Sequence, residues 1–166
     1  AQPCRSAGPR RHPPRRTLAE PLAVCWHGVR LGRDALFAEL GSTRCLVQGG
    51  GAIGMGSALS LRAMGARDIT VVEPNTLRHP SLTREGFAVV GPDGLTGQFG
   101  LIVDAVGINA TRRAASALIE PGGVLVHIGL GDARDGLDIR RMTLQEVTFI
   151  GTYTYTAQDF RDTAQG

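Results

Sequence analysis

The feature that most constrains this chain is a glycine fingerprint set between two apolar runs. Residues 49–54 read Gly-Gly-Gly-Ala-Ile-Gly, which places Gly49, Gly51 and Gly54 in a GxGxxG pattern, and an acidic residue, Glu73, follows nineteen positions after the last of them. Cys45-Leu46-Val47-Gln48 precedes the glycines, and Ile69-Thr70-Val71-Val72 leads into the acid. Strand, glycine turn, helix, strand, acid is the order of a βαβ unit that receives a dinucleotide. Gly49 would turn the chain sharply out of the strand, Gly51 would let bare backbone approach a pyrophosphate, and Gly54 would seat the helix close to the sheet. With Ala52 and Ile53, the helix start offers unpaired amides and a positive dipole end, which favour a phosphate without any basic side chain. Glu73 would accept hydrogen bonds from both ribose hydroxyls and repel a 2′-phosphate, which favours NAD over NADP. Arg78 is either a solvated surface arginine or a partner for such a phosphate.

Composition bounds the answer. A chain of 166 residues matches one domain, which buries roughly 70% of its unfolded surface. No apolar run approaches the roughly 20 residues that cross a bilayer, so no membrane partner and a soluble cytoplasmic protein are expected. Cys4, Cys25 and Cys45 show no CxxC or other ligand spacing, which points to free thiols rather than a disulfide or a cysteine zinc site. The net charge is +3 and the excess is local: residues 1–16 carry Arg5, Arg10, Arg11, Arg15 and Arg16 with no acid. A Pro/Arg-rich segment with almost no apolar residues reads as a disordered tail. Binding of nucleic acid through this basic arm is the other reading, and no nucleic-acid partner is expected. The segment lacks the pattern of a transit or secretory signal. A chain that starts at Ala1 and holds no lysine is expected to be part of a longer, arginine-biased protein.

Along residues 17–166 the periodicity predicts a helix over Pro21 to Val29, with Pro21 in its first turn, and a short helix at Asp34 to Leu40. Strands are predicted at Cys45 to Gln48, Ile69 to Glu73, Phe87 to Val90, Leu101 to Val106, Val124 to Ile128 and Val147 to Ile150. Between them fall a helix from Ala52 to Met64, with Gly54, Ala58, Leu61 and Gly65 on one face, and a brief helix within Thr76 to Gly86. A further helix is capped by Asn109, with Ala110, Ala114, Ala117 and Leu118 facing inward, and ends at Pro121-Gly122-Gly123. Only about ten residues, Gly91 to Gly100, separate the third and fourth strands, too few for a crossover helix, so a loop is expected there. The whole predicts an α/β, doubly wound, six-stranded parallel sheet of order 3-2-1-4-5-6, the Rossmann arrangement.

Several stretches then match a known family: Leu18-Ala19-Glu20-Pro21-Leu22-Ala23-Val24 with His27, Val71-Val72-Glu73-Pro74, Asp104-Ala105-Val106-Gly107, Pro121 to Gly129, and Gly151-Thr152-Tyr153-Thr154-Tyr155-Thr156 with Asp159-Phe160. Together with the glycine fingerprint they resemble the coenzyme domain of the zinc-dependent medium-chain alcohol and polyol dehydrogenases, most of all the sorbitol, threonine and galactitol-phosphate branch. The resemblance covers residues 17–163. It implies NAD(H) lying across the carboxyl ends of the strands, with Val106, Gly107, Gly129 and Leu130 near the nicotinamide half. It implies hydride transfer with a small secondary alcohol or polyol, and a homo-oligomer formed through the edge strand Val147 to Ile150. It also implies that Glu20 stands near a catalytic zinc, although Thr17-Leu18-Ala19-Glu20 equally fits a helix capping box. His27 and His127 read as structural histidines, the latter hydrogen-bonded in the core, and His12 and His79 have no partner of ligand type nearby.

The family's Gly-His-Glu motif does not occur here, and one Glu20 cannot supply the roughly three protein ligands of a catalytic zinc. The chain is therefore expected to be a coenzyme half, lacking an N-terminal catalytic domain and a C-terminal return segment, that binds NAD without turnover. Two rivals belong to other classes: a regulatory NAD-sensing module, and a methyltransferase holding S-adenosylmethionine above the same glycine loop. The latter fold closes with an antiparallel seventh strand, and no hairpin signal follows Ile150.

Overall fold

A computed structural model describes residues 15–165 of the chain, with side chains from residue 19 to residue 163. The expected apolar runs become β1 (Arg44–Gln48), β2 (Asp68–Val72), β3 (Ala88–Val90), β4 (Phe99–Asp104), β5 (Ile119–His127) and β6 (Thr148–Gly151). All pair in parallel in one sheet of order β3-β2-β1-β4-β5-β6. The helices are α1 (Arg15–Asp34), α2 (Ala52–Ala63), α3 (His79–Arg84), α4 (Asn109–Leu118), α5 (Ile139–Leu144) and α6 (Ala157–Gln165).

Side chains alternate across a strand, and here both faces are covered, so the central strands are apolar throughout. Cys45, Val47, Val71, Leu101, Val103, Val124 and Val126 point into one cluster, where Val29 of α1 and Ala58 and Leu61 of α2 meet them. Leu46, Val72, Ile102 and Leu125 point the other way, to Ala115 of α4 and Met142 of α5. Leu46 sits between Thr70 of β2 and Ile102 of β4, so β1 lies at the middle of the sheet, where the strand order reverses.

Local structure departs from the sequence expectations in ways that packing explains. The first helix is far longer than expected and runs through Pro21 rather than starting there. An interior proline costs about 3 kcal/mol, but this helix also buries Ala23, Cys25 and Val29 completely at about 1.5–3 kcal/mol for a side chain such as valine. No helix forms at Asp34 to Leu40; a single 3-10 turn at Leu40–Ser42 leads into β1. Gly65 is not on the packing face of α2 but exposed beyond its end, at φ 104°, as a helix-stopping glycine. Asn109 is the first helical residue of α4 rather than its cap: Thr111 Oγ1 accepts from the Ile108 amide at 3.1 Å, and the Asn109 amide donates to Asp132. The inward face of α4 is Arg112, Ala115 and Ser116, while Ala110 and Ala117 are exposed. Pro121 to Gly123 do not end the helix but lie within β5, beside an irregularity in its pairing with β4. The third crossover does lack a full helix, holding one 3-10 turn at Pro92–Gly94.

Cys25 and Cys45 are buried free thiols, pushed up by burial to about 11 and about 12 respectively; Cys4, His12 and most of the basic segment lie outside the described residues. His127 is not the hydrogen-bonded histidine expected. Its Nε2 is 3.6 Å from Asp104 Oδ2 and lacks a hydrogen-bond partner among the described residues.

The last helix is fixed to the first by one carboxylate. Thr156 and Asp159 form a reciprocal capping box at the start of α6, with Thr156 Oγ1 accepting from the Asp159 amide at 3.1 Å and Asp159 Oδ2 from the Thr156 amide at 2.9 Å. The same carboxylate, 1% exposed, accepts from Arg30 Nε at 2.8 Å and lies 2.7 Å from His27 Nδ1. Burial alone would raise the Asp159 carboxyl, but Arg30, Thr156 and His27 outweigh it and hold the group well below the usual carboxylate range. A carboxylate whose folded pKa is depressed contributes stability that is present above its unfolded pKa, about 3.9, and lost as pH falls through the folded value. Asp159→Ala should cost about 2 kcal/mol at pH 7 by removing the cap of α6 and the charged hydrogen bonds from Arg30 and His27. In urea denaturation the gap between parent and variant should narrow progressively below about pH 4; a gap that stayed constant down to pH 2 would contradict the assignment.

Candidate functional site

The carboxyl ends of β1, β2 and β4 open into one cleft of about 750 Å³, within the roughly 300–1,000 Å³ typical of small-molecule sites. Its floor is the glycine turn and the start of α2. Gly49 has φ 94°, a left-handed conformation that glycine adopts without strain, and a Cβ on Gly54 would overlap the Gly49 carbonyl oxygen. This contact seats α2 against the end of β1. Over Gly51 there is nothing within 4 Å of where a Cβ would stand, so bare backbone faces the cleft. Ala52, Ile53 and Gly54 line it too. The first turn of α2 carries no acidic residue, and its leading amides have no acceptor within the helix.

Glu73 caps one side. It is 2% exposed, and both its oxygens are engaged: Oε1 accepts from the Asn75 amide at 2.7 Å, Oε2 from the Gly50 amide at 2.7 Å and from Arg78 Nη1 at 3.3 Å. Burial by itself raises this carboxyl, and the two amides and Arg78 bring it net below its ordinary value. The His79 ring contacts the Glu73 carbonyl oxygen through Nε2 at 2.7 Å, tying the turn after β2 to the strand it leaves. His79 is thus an anchor of the turn.

Asp104 caps the other side and is fully buried. Its Oδ1 accepts from the Val106 and Gly107 amides at 3.0 and 2.8 Å, and its Oδ2 from Thr111 Oγ1 at 2.9 Å. Val106 lines the cleft, with Ala105, Ile108 and Thr111. Gly107 and Gly129 do not line it: they press backbone to backbone, so a Cβ on either would overlap the other's chain. Leu130 is 76% exposed and lies apart from the cleft. The structure therefore brings together Gly49, Gly51, Ala52, Ile53, Gly54, Glu73, Arg78 and Val106, and leaves Gly107, Gly129 and Leu130 on a neighbouring loop layer.

Three contributors lay outside the sequence reading. Gln48, 1% exposed, is among the residues that line the cleft; its Nε2 donates to the Thr111 carbonyl at 3.0 Å, and its Oε1 is buried with no partner among the described residues. Thr111 lies on α4, where nothing in the local sequence marks a hydroxyl that accepts from the Ile108 amide and donates to Asp104. Arg112 is 6% exposed and spends its donors on carbonyls, Gly107 at 2.7 Å, Asp135 and Arg134 at 2.5 Å and Asp132 at 3.2 Å. It binds the loop after β4 to the loop after β5. The Gly131 and Asp132 amides reinforce this by donating to the Val106 and Gly107 carbonyls.

These residues fit a dinucleotide. The open approach over Gly51, the free amides of α2, the orphaned Gln48 oxygen and apolar walls from Leu95, Ile108 and Leu118 supply a phosphate cradle, a polar contact and flat surfaces for rings. They do not fit a metal ion. Among the described residues no three His, Cys, Asp or Glu side chains cluster, and Glu20 is exposed on α1. Since α1 begins at Arg15, Glu20 lies inside the helix and not in a capping box.

The match to known proteins agrees with the geometry. Residues 52–165 match the model of the zinc-binding dehydrogenase family, and the chain belongs to that family. It is 32% identical over 160 residues to a probable diacetyl reductase, (R)-acetoin forming, of Saccharomyces cerevisiae, covering 86% of this chain and 37% of the relative. It is 29% identical over 152 residues to the sorbitol dehydrogenase of Macaca fascicularis, covering 83% and 41%. The crystal structure of 2R,3R-butanediol dehydrogenase from Bacillus subtilis superposes with a TM-score of 0.78 at 22% identity, over 89% of this chain and 44% of that one, which confirms the fold. The chain thus spans less than half the length of these relatives.

The two inner glycines should separate fold from binding. Gly54→Ala should destabilise the chain by about 1–3 kcal/mol through overpacking, read as a lowered midpoint in chemical denaturation. Gly51→Ala should leave stability within about 0.5 kcal/mol of the parent, because its methyl group enters open space.

Proposed function

We propose that this chain is the coenzyme-binding part of a nicotinamide-dependent dehydrogenase acting on a secondary alcohol or polyol. The observation that carries the reading is the open backbone over Gly51 at the start of α2, flanked by carboxylates at the ends of β2 and β4. The relatives' names, a diacetyl reductase and a sorbitol dehydrogenase, support the substrate class. They all concern small vicinal hydroxyl or carbonyl compounds.

In this reading the amides of Gly51 to Ile53 hold the pyrophosphate of NAD(H), where the helix dipole favours negative charge. The walls formed by Leu95, Ile108 and Leu118 exclude water from the rings. Gln48, with its unpaired Oε1, orients a hydroxyl or amide donor of the coenzyme, and Asp104 fixes the Val106 backbone on the same side. The nicotinamide, once bound, supplies or accepts the hydride. A catalytic zinc would draw its ligands from outside the described residues, and the zinc-shell role that the resemblance implies for Glu20 rests on that resemblance alone. The exposed edge of β6, where Phe149 is 42% exposed, would pair with a second copy of the chain.

Titration calorimetry should detect NADH binding to the 166-residue chain. Gly51→Val should weaken it at least about tenfold, the loss of roughly 1.4 kcal/mol of backbone contact, with the denaturation midpoint little changed. Failure of the parent chain to bind NADH would remove the reading, and equal affinity in the Gly51→Val variant would remove the cradle.

A further inference from the structure

A second groove, of about 390 Å³, lies between α4, α5 and the segment that joins β5 to α5, and it shares no lining residue with the dinucleotide cleft. The two lie on different sides of α4: Ala114 and Leu118 line the cleft, whereas Arg113, Ser116 and Ala117 line the groove. We propose that this groove binds a small organic carboxylate between the guanidinium groups of Arg113 and Arg141.

Most polar groups of the groove already have partners. Ser116 Oγ donates to the Arg112 carbonyl at 3.0 Å and accepts from the Asp138 amide at 3.1 Å, and Asp138 Oδ1 accepts from the Arg141 amide at 2.9 Å. These bonds fix the turn into α5 and the backbone that carries Arg141. The two arginines are different. Arg141 Nη2 donates to the Ala117 carbonyl at 3.1 Å, which pins the guanidinium against the end of α4. Its Nε is buried with no partner, and Nη1 makes no hydrogen bond, among the described residues. Arg113 is exposed and gives only Nε, to Asn109 Oδ1 at 3.3 Å. A buried donor without an acceptor costs about 1–3 kcal/mol, and more on a charged group, so Arg141 is short of an acceptor that the described residues do not provide.

Charge and size select the class of ligand. Two arginines and one acid, Asp138, line the groove, which leaves a single net positive charge and suits a monoanion better than a phosphate dianion. A planar carboxylate matches the guanidinium fork. Leu137 and Ala117 add apolar surface, and the volume leaves room for an organic body beside the charged group.

Titration of the 166-residue chain with benzoate, followed through the arginine Nε–H signals in nitrogen-15 correlation spectra, tests this. Benzoate should shift the Arg141 and Arg113 signals saturably, and inorganic phosphate should bind no more tightly. Arg113→Gln, at an exposed position, should weaken benzoate at least about tenfold, the worth of one charged hydrogen bond, and Arg141→Gln should abolish saturation. Arg140→Gln, at the exposed neighbour outside the groove, should change the affinity less than about twofold, because a screened surface charge contributes little. Unsaturable shifts in the parent chain, an equal loss in Arg140→Gln, or phosphate binding more than about tenfold tighter than benzoate would each overturn the proposal. Because the groove and the cleft are separate, these outcomes are independent of NADH binding.

Discussion

A carboxylate accepting main-chain amides at the end of a buried strand is the interaction on which this site depends, and the sheet uses it twice. Glu73 at the end of β2 holds the Gly50 and Asn75 amides, and Asp104 at the end of β4 holds those of Val106 and Gly107. These strands are the two neighbours of β1, so Glu73 holds the glycine turn itself through the Gly50 amide while Asp104 fixes the loop on its other side. Loops this close to a core cannot leave their amides unpaired without a penalty of about 1–3 kcal/mol each. Side-chain acceptors satisfy them without letting the chain continue as strand, which keeps the turn open over Gly51.

Packing sets where those strand ends lie. With valine, leucine and isoleucine filling both faces of β1 and β4, a slip of one residue would turn each apolar set onto the wrong face. The parallel register thereby aligns the ends of the strands at one edge of the sheet. On the α1 side the approach is close because Gly28 and Gly32 meet Ile128 and Val126 directly, where a Cβ would crowd both. The price of an interior proline in α1 is small beside that burial.

The strands and their order were legible because continuous apolar runs between glycine turns allow little else, and the glycine tasks followed from their spacing. What stayed hidden was set by tertiary context. Arg112 looked like an ordinary surface residue of an amphipathic helix, and nothing local announces a guanidinium buried among four carbonyls. On α4 the alanine stripe predicts the inward face only in part: Leu118 does pack against the core and, with Ala110 and Ala114, lines the cleft, whereas the buried positions are Arg112, Ala115 and Ser116. Glu73 was found by its spacing, yet its commitment to the Gly50 amide appears only when the turn closes. The Thr156 to Asp159 capping box was readable from its residue types; its hold on Arg30 and His27 was not, since those partners lie about 130 positions away.

The buried arginine of α4 has a mechanical consequence. By stitching the segment after β5 to Gly107, and with the Gly131 and Asp132 amides crossing to Val106 and Gly107, it fuses two hinges into one plate. Neither segment can swing alone without breaking charged bonds inside the protein. The plate's freedom is thus surrendered during folding, so a guest arriving at that rim meets a surface whose ordering cost has already been met.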